Sequence, residues 1–184
     1  MSPICTACVL LAVLGAVVSV VQAAPASHCA ADEEVVFSCR LQKSAKLVSL
    51  CASKNLLAEP KTGRLTYRFG KPGAVELLFP QQTVGSPQQF LLFHYFRPGL
   101  DTTEVSFANN GFSYALYQHF EAESDRRSMQ ESGVRVASTD ASRHGTDITL
   151  SCTPATVIAH WNLIDGAVPC DESDLNTCQN DEEP

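Results

Sequence analysis

Eight cysteines and five histidines hold most of the chemistry open to this 184-residue chain. Cys5 and Cys8 make a C-x-x-C, but they precede an apolar run with the character of a cleaved leader, so no redox or metal role is read from them. Six cysteines remain: Cys29, Cys39, Cys51, Cys152, Cys170 and Cys178. Zinc sites need closely spaced Cys or His ligands, and His28 beside Cys29 is the only such neighbour, so no metal or cofactor is expected. Six cysteines without that spacing, in an exported chain, point instead to structural disulfides. Fifteen pairings exist. Proximity favours Cys39–Cys51 across a first hairpin and Cys170–Cys178 as a small terminal loop, which leaves Cys29 for Cys152. Other pairings of the six would contradict nothing in the sequence.

The histidines form no catalytic motif. None of His28, His94, His119, His144 and His160 lies in H-E-x-x-H, and no G-x-S-x-G elbow presents a serine nucleophile. His94 and His119 sit in alternating, strand-like surroundings. Ser142, His144 and Asp147 could meet in a polar turn, yet that composition is common in turns. No catalytic residue is therefore assigned, and the chain reads as a non-enzyme.

What positions these residues begins after a leader. Val9 to Val21 is almost wholly apolar, too short to span a bilayer but suited to a secretory signal, and Val21-Gln22-Ala23 supplies a small-residue cleavage pattern. The expected organisation is a signal peptide over 1–23, an N-terminal segment over 24–33, one β domain over 34–170 and an acidic tail over 171–184. No later stretch is apolar enough for a transmembrane helix, so the mature chain is expected to be soluble, in the periplasm or secreted. All but one unit of the net charge of −7 resides in the tail, which carries six acids and no base. A second asymmetry spans Arg40 to Lys71, where eight bases face Glu59 alone; such a surplus attracts anionic polymers, though it also suits the outer face of a sheet. Export and an acidic total argue against nucleic acid as a partner.

Between leader and tail, short strand-like runs alternate with turn residues. Runs at 34–40, 47–52, 65–69, 74–79, 90–96, 103–108, 112–117, 133–137 and 147–152 predict an all-β, antiparallel small barrel or sandwich of eight to nine strands, disulfide-stapled. Asn109, Asn110 and Gly111 mark the clearest hairpin turn, because Asn and Gly tolerate the positive φ a tight turn demands. In the strand that follows, Phe112, Tyr114 and Leu116 share a face. Glu121–Glu131 reads as a loop or short exposed helix, and 157–164 as a strand or short helix.

The runs Phe37-Ser38-Cys39, Val48-Ser49-Leu50-Cys51, Leu65-Thr66-Tyr67-Arg68-Phe69-Gly70 and Glu76-Leu77 resemble a group of small exported bacterial proteins without established function. The similarity continues through Phe107–Tyr114, Gly133-Val134-Arg135-Val136 and Leu150-Ser151-Cys152. It covers roughly residues 29–152, implies an envelope or secreted location, and carries no catalytic residue to transfer. More loosely, Phe37-Ser38-Cys39 and the Asn109–Gly111 hairpin resemble the periplasmic inhibitors of C-type lysozymes, whose Ser-Gly loop and Lys-containing loop are unmatched here.

The expectation is an exported binding or envelope-associated protein, its partner another protein or an anionic envelope polymer, with Asn109, Asn110 and Gly111 as the candidate recognition loop. Inhibition of a lysozyme or other hydrolase is the first alternative, and a hydrolase using His144 or His160 the second.

Overall fold

The computed structural model describes residues 27–122, 128–140 and 147–173. The apolar leader, Ser142, His144, Cys178 and most of the acidic tail lie outside the described residues.

Alternating β-branched and aromatic residues between turn signals give ten strands among the described residues: β1 (Glu33–Arg40), β2 (Leu47–Ser53), β3 (Leu65–Lys71), β4 (Ala74–Phe79), β5 (Leu91–Arg97), β6 (Leu100–Asn109), β7 (Phe112–Ala122), β8 (Ser128–Ser138), β9 (Ile148–Ser151) and the two-residue β10 (Ile158–Ala159). They form two five-stranded antiparallel sheets, ordered β10-β1-β2-β3-β4 and β5-β6-β7-β8-β9. The expected all-β architecture is present, and it is sandwich-like. The second sheet is a simple meander; the first is a meander from β1 to β4 to which β10, returning from the far end of the chain, adds beside β1.

Side chains alternate across a strand, so register decides which residues enter the space between the sheets. In the first sheet Phe37 lies opposite Leu50, Leu50 opposite Tyr67, and Val48 opposite Phe69. In the second, Val105 lies opposite Leu116 and Leu116 opposite Val134. These two faces supply a single buried core. Rings lock it across the gap: Phe79 and Phe107 stack with centroids 4.3 Å apart and Tyr67 leans on Phe107 at 5.0 Å, while Phe107 and Tyr114 stack at 4.9 Å within the second sheet. Each such pair contributes about 0.5–1.5 kcal/mol beyond area burial.

The sheets are also stitched by backbone along one edge. Leu41 bridges to Cys152, Gln42 N donates to Ser151 O at 2.8 Å, and Thr153 N donates to Arg40 O at 2.8 Å. On the far side, Leu92 in β5 bridges to Cys170.

β2 is buried on both faces. Its outer side is covered by the segment just before β1, where His28 N donates to Ser49 Oγ and the Arg68 guanidinium donates to His28 O. Beneath that strap Ser38 Oγ and Ser49 Oγ pair at 2.9 Å, so the buried hydroxyls are satisfied.

The cysteine pairing differs from the expected one. Cys39 bonds Cys152, and Cys29 bonds Cys51. The register explains why Cys39–Cys51 cannot form: Cys39 lies opposite Val48 and Cys51 opposite Val35, on opposite faces of the sheet. Cys39 points inward and meets the end of the second sheet. Cys51 points outward and meets the strap. Cys29, being on the strap, is on the wrong side of the first sheet to reach Cys152. Cys170 is disulfide-bonded too.

Two further expectations change. The ends of the Glu121–Glu131 stretch are not loop or helix: β7 runs to Ala122 and β8 begins at Ser128. Residues 157–164 combine both readings, with β10 followed by a single 3-10 turn over Trp161–Leu163.

Candidate functional site

The strands of the second sheet are longer than the core needs, and the surplus makes a site. Successive inward-facing rows can be read across β5, β6, β7 and β8. Leu92, Val105, Leu116 and Val134 form the apolar row. The next row outward is His94, Thr103, Gln118 and Ser132, and the one after that is Phe96, Asp101, Phe120 and Gln130. Burial falls along this sequence of rows. Val105 and Leu116 are fully buried, whereas Phe96 is 69 % and Phe120 37 % exposed. The sheet therefore projects past the core as a ledge, polar first and then aromatic, at the mouth of the sandwich.

Trp161, the sole tryptophan, closes the back of this mouth. Its ring stacks on Phe37 at 5.2 Å, and its Nε1 donates to Gln118 Oε1 at 2.9 Å. Because an indole N–H can only donate, the bond fixes the Gln118 amide with its NH2 group turned away from the tryptophan. Next to Gln118 opens a cavity of about 520 Å³ lined by Gln42, Tyr117, Gln118, Gln130, Glu131, Ser132, Thr149, Ser151, Cys152, Pro154, Val157 and Ala159. Its lining is mostly neutral amide and hydroxyl. Gln42 Nε2 donates to Cys152 O at 2.9 Å, which leaves Gln42 Oε1 as an acceptor.

Tyr117 is held firmly at the cavity wall. Burial, and then the charge of Glu131, push its phenol pKa up, against Arg135 and a Ser151 hydrogen bond. Arg135 lies over its ring, 4.7 Å from the centroid, and pairs with Glu104. Burial pushes the Glu104 carboxyl up as well, with Asp171 adding to the rise and Arg135 opposing it. Tyr117 lies opposite Gly133, whose missing side chain makes room for the phenol: a Cβ there would be 3.0 Å from Tyr117 Oη.

The described histidines do not converge. His28 Nε2 donates to Gly70 O under the strap, and His160 Nδ1 donates to Val35 O beside a shallow groove of Val35, Ile158 and Leu163. His94 pairs with Asp101 at 3.2 Å on the ledge. His119, on the outer face of the second sheet, lies 2.7 Å from Thr102 Oγ1 and 3.7 Å from Glu121. That Thr–His–Glu grouping is the nearest approach to a nucleophile and base among the described residues. It is poorly set for acyl transfer: Thr102 pairs with both Tyr95 and His119 in mid-sheet, where backbone N–H groups are spent on the ladder and unavailable to an oxyanion. Asp147 is exposed, and its suggested partners Ser142 and His144 lie outside the described residues.

Cys29, Glu33 and Cys51 are grouped closely enough to suggest a cation site, but the two sulfurs are bonded to each other and offer no thiolate. Among the described residues, no helix is long and apolar enough to cross a membrane.

Asn109, Asn110 and Gly111 form the tight hairpin turn expected of them. Asn109 pairs with Phe112, and Asn110 and Gly111 take φ values of 50° and 79°. The turn ends the strands opposite the ledge, and Thr139 N donates to Gly111 O beside it. Of the eight bases between Arg40 and Lys71, three meet acids from outside the stretch: Lys46 meets Glu76, Arg64 meets Asp32, and Arg68 meets Glu33. The local surplus is accordingly smaller than the sequence implies.

Phe96, Gln118, Phe120, Gln130 and Trp161 were not singled out by sequence. One signal did exist. The face shared by Phe112, Tyr114 and Leu116 continues, two residues at a time, through Gln118 to Phe120, and an aromatic past the end of the core row marks an overhang. Compared with protein-family models, curated proteins and solved structures, the chain finds no match.

Proposed function

We propose that the protein is an exported, non-catalytic binding protein that holds its ligand at the mouth of the sandwich. One observation supports this most directly: exposed Phe96 and Phe120 stand on a rigid strand ledge beside a preformed, mostly neutral polar cavity. Ligand sites are usually concave, preformed and lined by a few oriented polar groups with apolar or aromatic neighbours, on the order of 300–1,000 Å³ in volume; this cavity holds about 520 Å³. Disulfides on both faces of the first sheet fit an oxidising compartment. The hydrolase-inhibitor reading has less support, since the Asn109–Gly111 turn is only a tight hairpin tip. The anionic-polymer reading rested on the basic stretch from Arg40 to Lys71, and no base of that stretch lines the cavity.

The test compares the disulfide-bonded protein with the double variant F120A/Q130A. Both are incubated with envelope and secreted extracts, and the bound material is eluted for mass analysis. The expected result is a component retained by the wild type, released chemically unchanged, and lost from the variant. Equal retention by both proteins, or release of a cleaved component, would overturn the proposal.

A further inference from the structure

We infer that the ligand at the mouth is an uncharged glycan; this rests on the reading of the mouth as the binding site and names its chemistry. A sugar presents hydroxyls that both donate and accept, and it presents a C–H face. Its site must therefore supply oriented neutral donors and acceptors beside an aromatic surface.

The cavity supplies the first. Trp161 Nε1 holds Gln118 Oε1, so the Gln118 NH2 group is left to donate. Cys152 O holds Gln42 Nε2, so Gln42 Oε1 is left to accept. Both amides are thus fixed in direction before any ligand arrives, which lowers the ordering cost of binding. Gln130, Ser132 and Thr149 add further amide and hydroxyl groups to the same lining.

The ledge supplies the second. Phe120 lies directly opposite Gln130, and Gln118 directly opposite Ser132, on one face of the sheet. Phe96 is two strands further along the same row, through Asp101. With strands about 4.8 Å apart, the row from Phe96 to Gln130 spans about 14 Å. That length suits a short oligosaccharide lying across the strands, one end in the cavity and the rest on the aromatic row.

Charge selects among glycans. Among the described residues Glu131 is the one carboxylate in the lining, the Tyr117 phenol is held protonated, and Asp101 lies in the aromatic row. No described Lys or Arg lines the cavity. A sulfated or uronic polymer would bring anions against these carboxylates with no described Lys or Arg in the lining to meet them. A peptide strand added at the cavity would pair with an edge that flanks it, and β9 and β10 offer only four and two residues there.

The experiment titrates the disulfide-bonded protein with soluble uncharged oligomers of glucose, N-acetylglucosamine, galactose and mannose. Dextran sulfate and a neutral extended peptide run in parallel. The readouts are emission from Trp161 and calorimetric heat. At least one neutral oligosaccharide should change the emission saturably and bind more tightly than its monosaccharide. Phe120→Ala and Gln130→Ala should each weaken it by about tenfold while leaving the thermal midpoint unchanged, both side chains being exposed. No saturation by any sugar at millimolar concentration would overturn the inference. Binding of dextran sulfate or peptide alone, lost in the same variants, would remove the glycan and keep the mouth as the site. A sugar bound equally by wild type and both variants would remove both readings.

Discussion

Glu33 and Arg68 make the one ion pair among the described residues in which both side chains are mostly buried, at 7 % and 16 % exposure. Arg68 Nη2 donates to Glu33 Oε1 at 2.8 Å, and a second bond joins Nη1 to Oε2. Burial alone would push this carboxyl up. The Arg68 bonds and the Ala30 N–H outweigh it and hold the pKa below the usual carboxylate range. A lowered folded-state pKa means the pair stabilises fully above the unfolded value of about 4.3 and is lost as pH falls through the folded one. Glu33→Gln should cost about 1–3 kcal/mol near neutral pH. Below about pH 4 the difference from wild type should shrink. Thermal melts across that window check it, and a constant gap would contradict it. Nothing in the sequence announced this pair: its members are 35 positions apart, and Arg68 was read only as one base of the Arg40–Lys71 stretch.

At the level of elements, local chemistry was largely readable. The Asn110-Gly111 turn, Gly73 before β4 and the apolar alternation in β3 all take the conformations their residue types favour. Strand ends were less readable, because β7 and β8 extend beyond the apolar row into polar sequence, where backbone pairing with each other and with β6 carries them on. Two glycines separate local from tertiary demands. Gly111 has φ +79° and open space nearby, so Gly111→Ala should cost only the backbone term, about 1 kcal/mol. Gly133 is limited by contact instead: a Cβ would lie 2.3 Å from Leu150 O. Gly133→Ala must shift β9, at a further cost of roughly 1–3 kcal/mol, and should expose amides of β8 and β9 to hydrogen exchange. Denaturant midpoints and exchange rates for the two variants distinguish these effects.

At the scale of the whole molecule, the two disulfides formed between described residues do different work. Cys29–Cys51 spans 22 residues and fixes the strap to the outside of the first sheet. Cys39–Cys152 spans 113 and ties the two sheets together at their stitched edge. In the chain-entropy model the short loop contributes about 3 kcal/mol and the long one about 5. Removing Cys39 and Cys152 together as serines should therefore lower the midpoint more than removing Cys29 and Cys51. Peptide mapping without reduction should recover the 29–51 and 39–152 links. Recovery of 39–51 or 29–152 would contradict the register of β1 and β2.

The sequence by itself determined what neighbours along the chain can decide: short strands, tight turns and a disulfide-rich β domain. Alternation and turn chemistry are local, so they survive without knowledge of the fold. Tertiary structure alone decided which cysteines meet, because pairing depends on the face each side chain takes and a single register step reverses that face. It also made the ledge. Phe96, Phe120 and Trp161 look like core residues in sequence, and only the position where the first sheet stops leaves Phe96 and Phe120 exposed beside the amides that flank them.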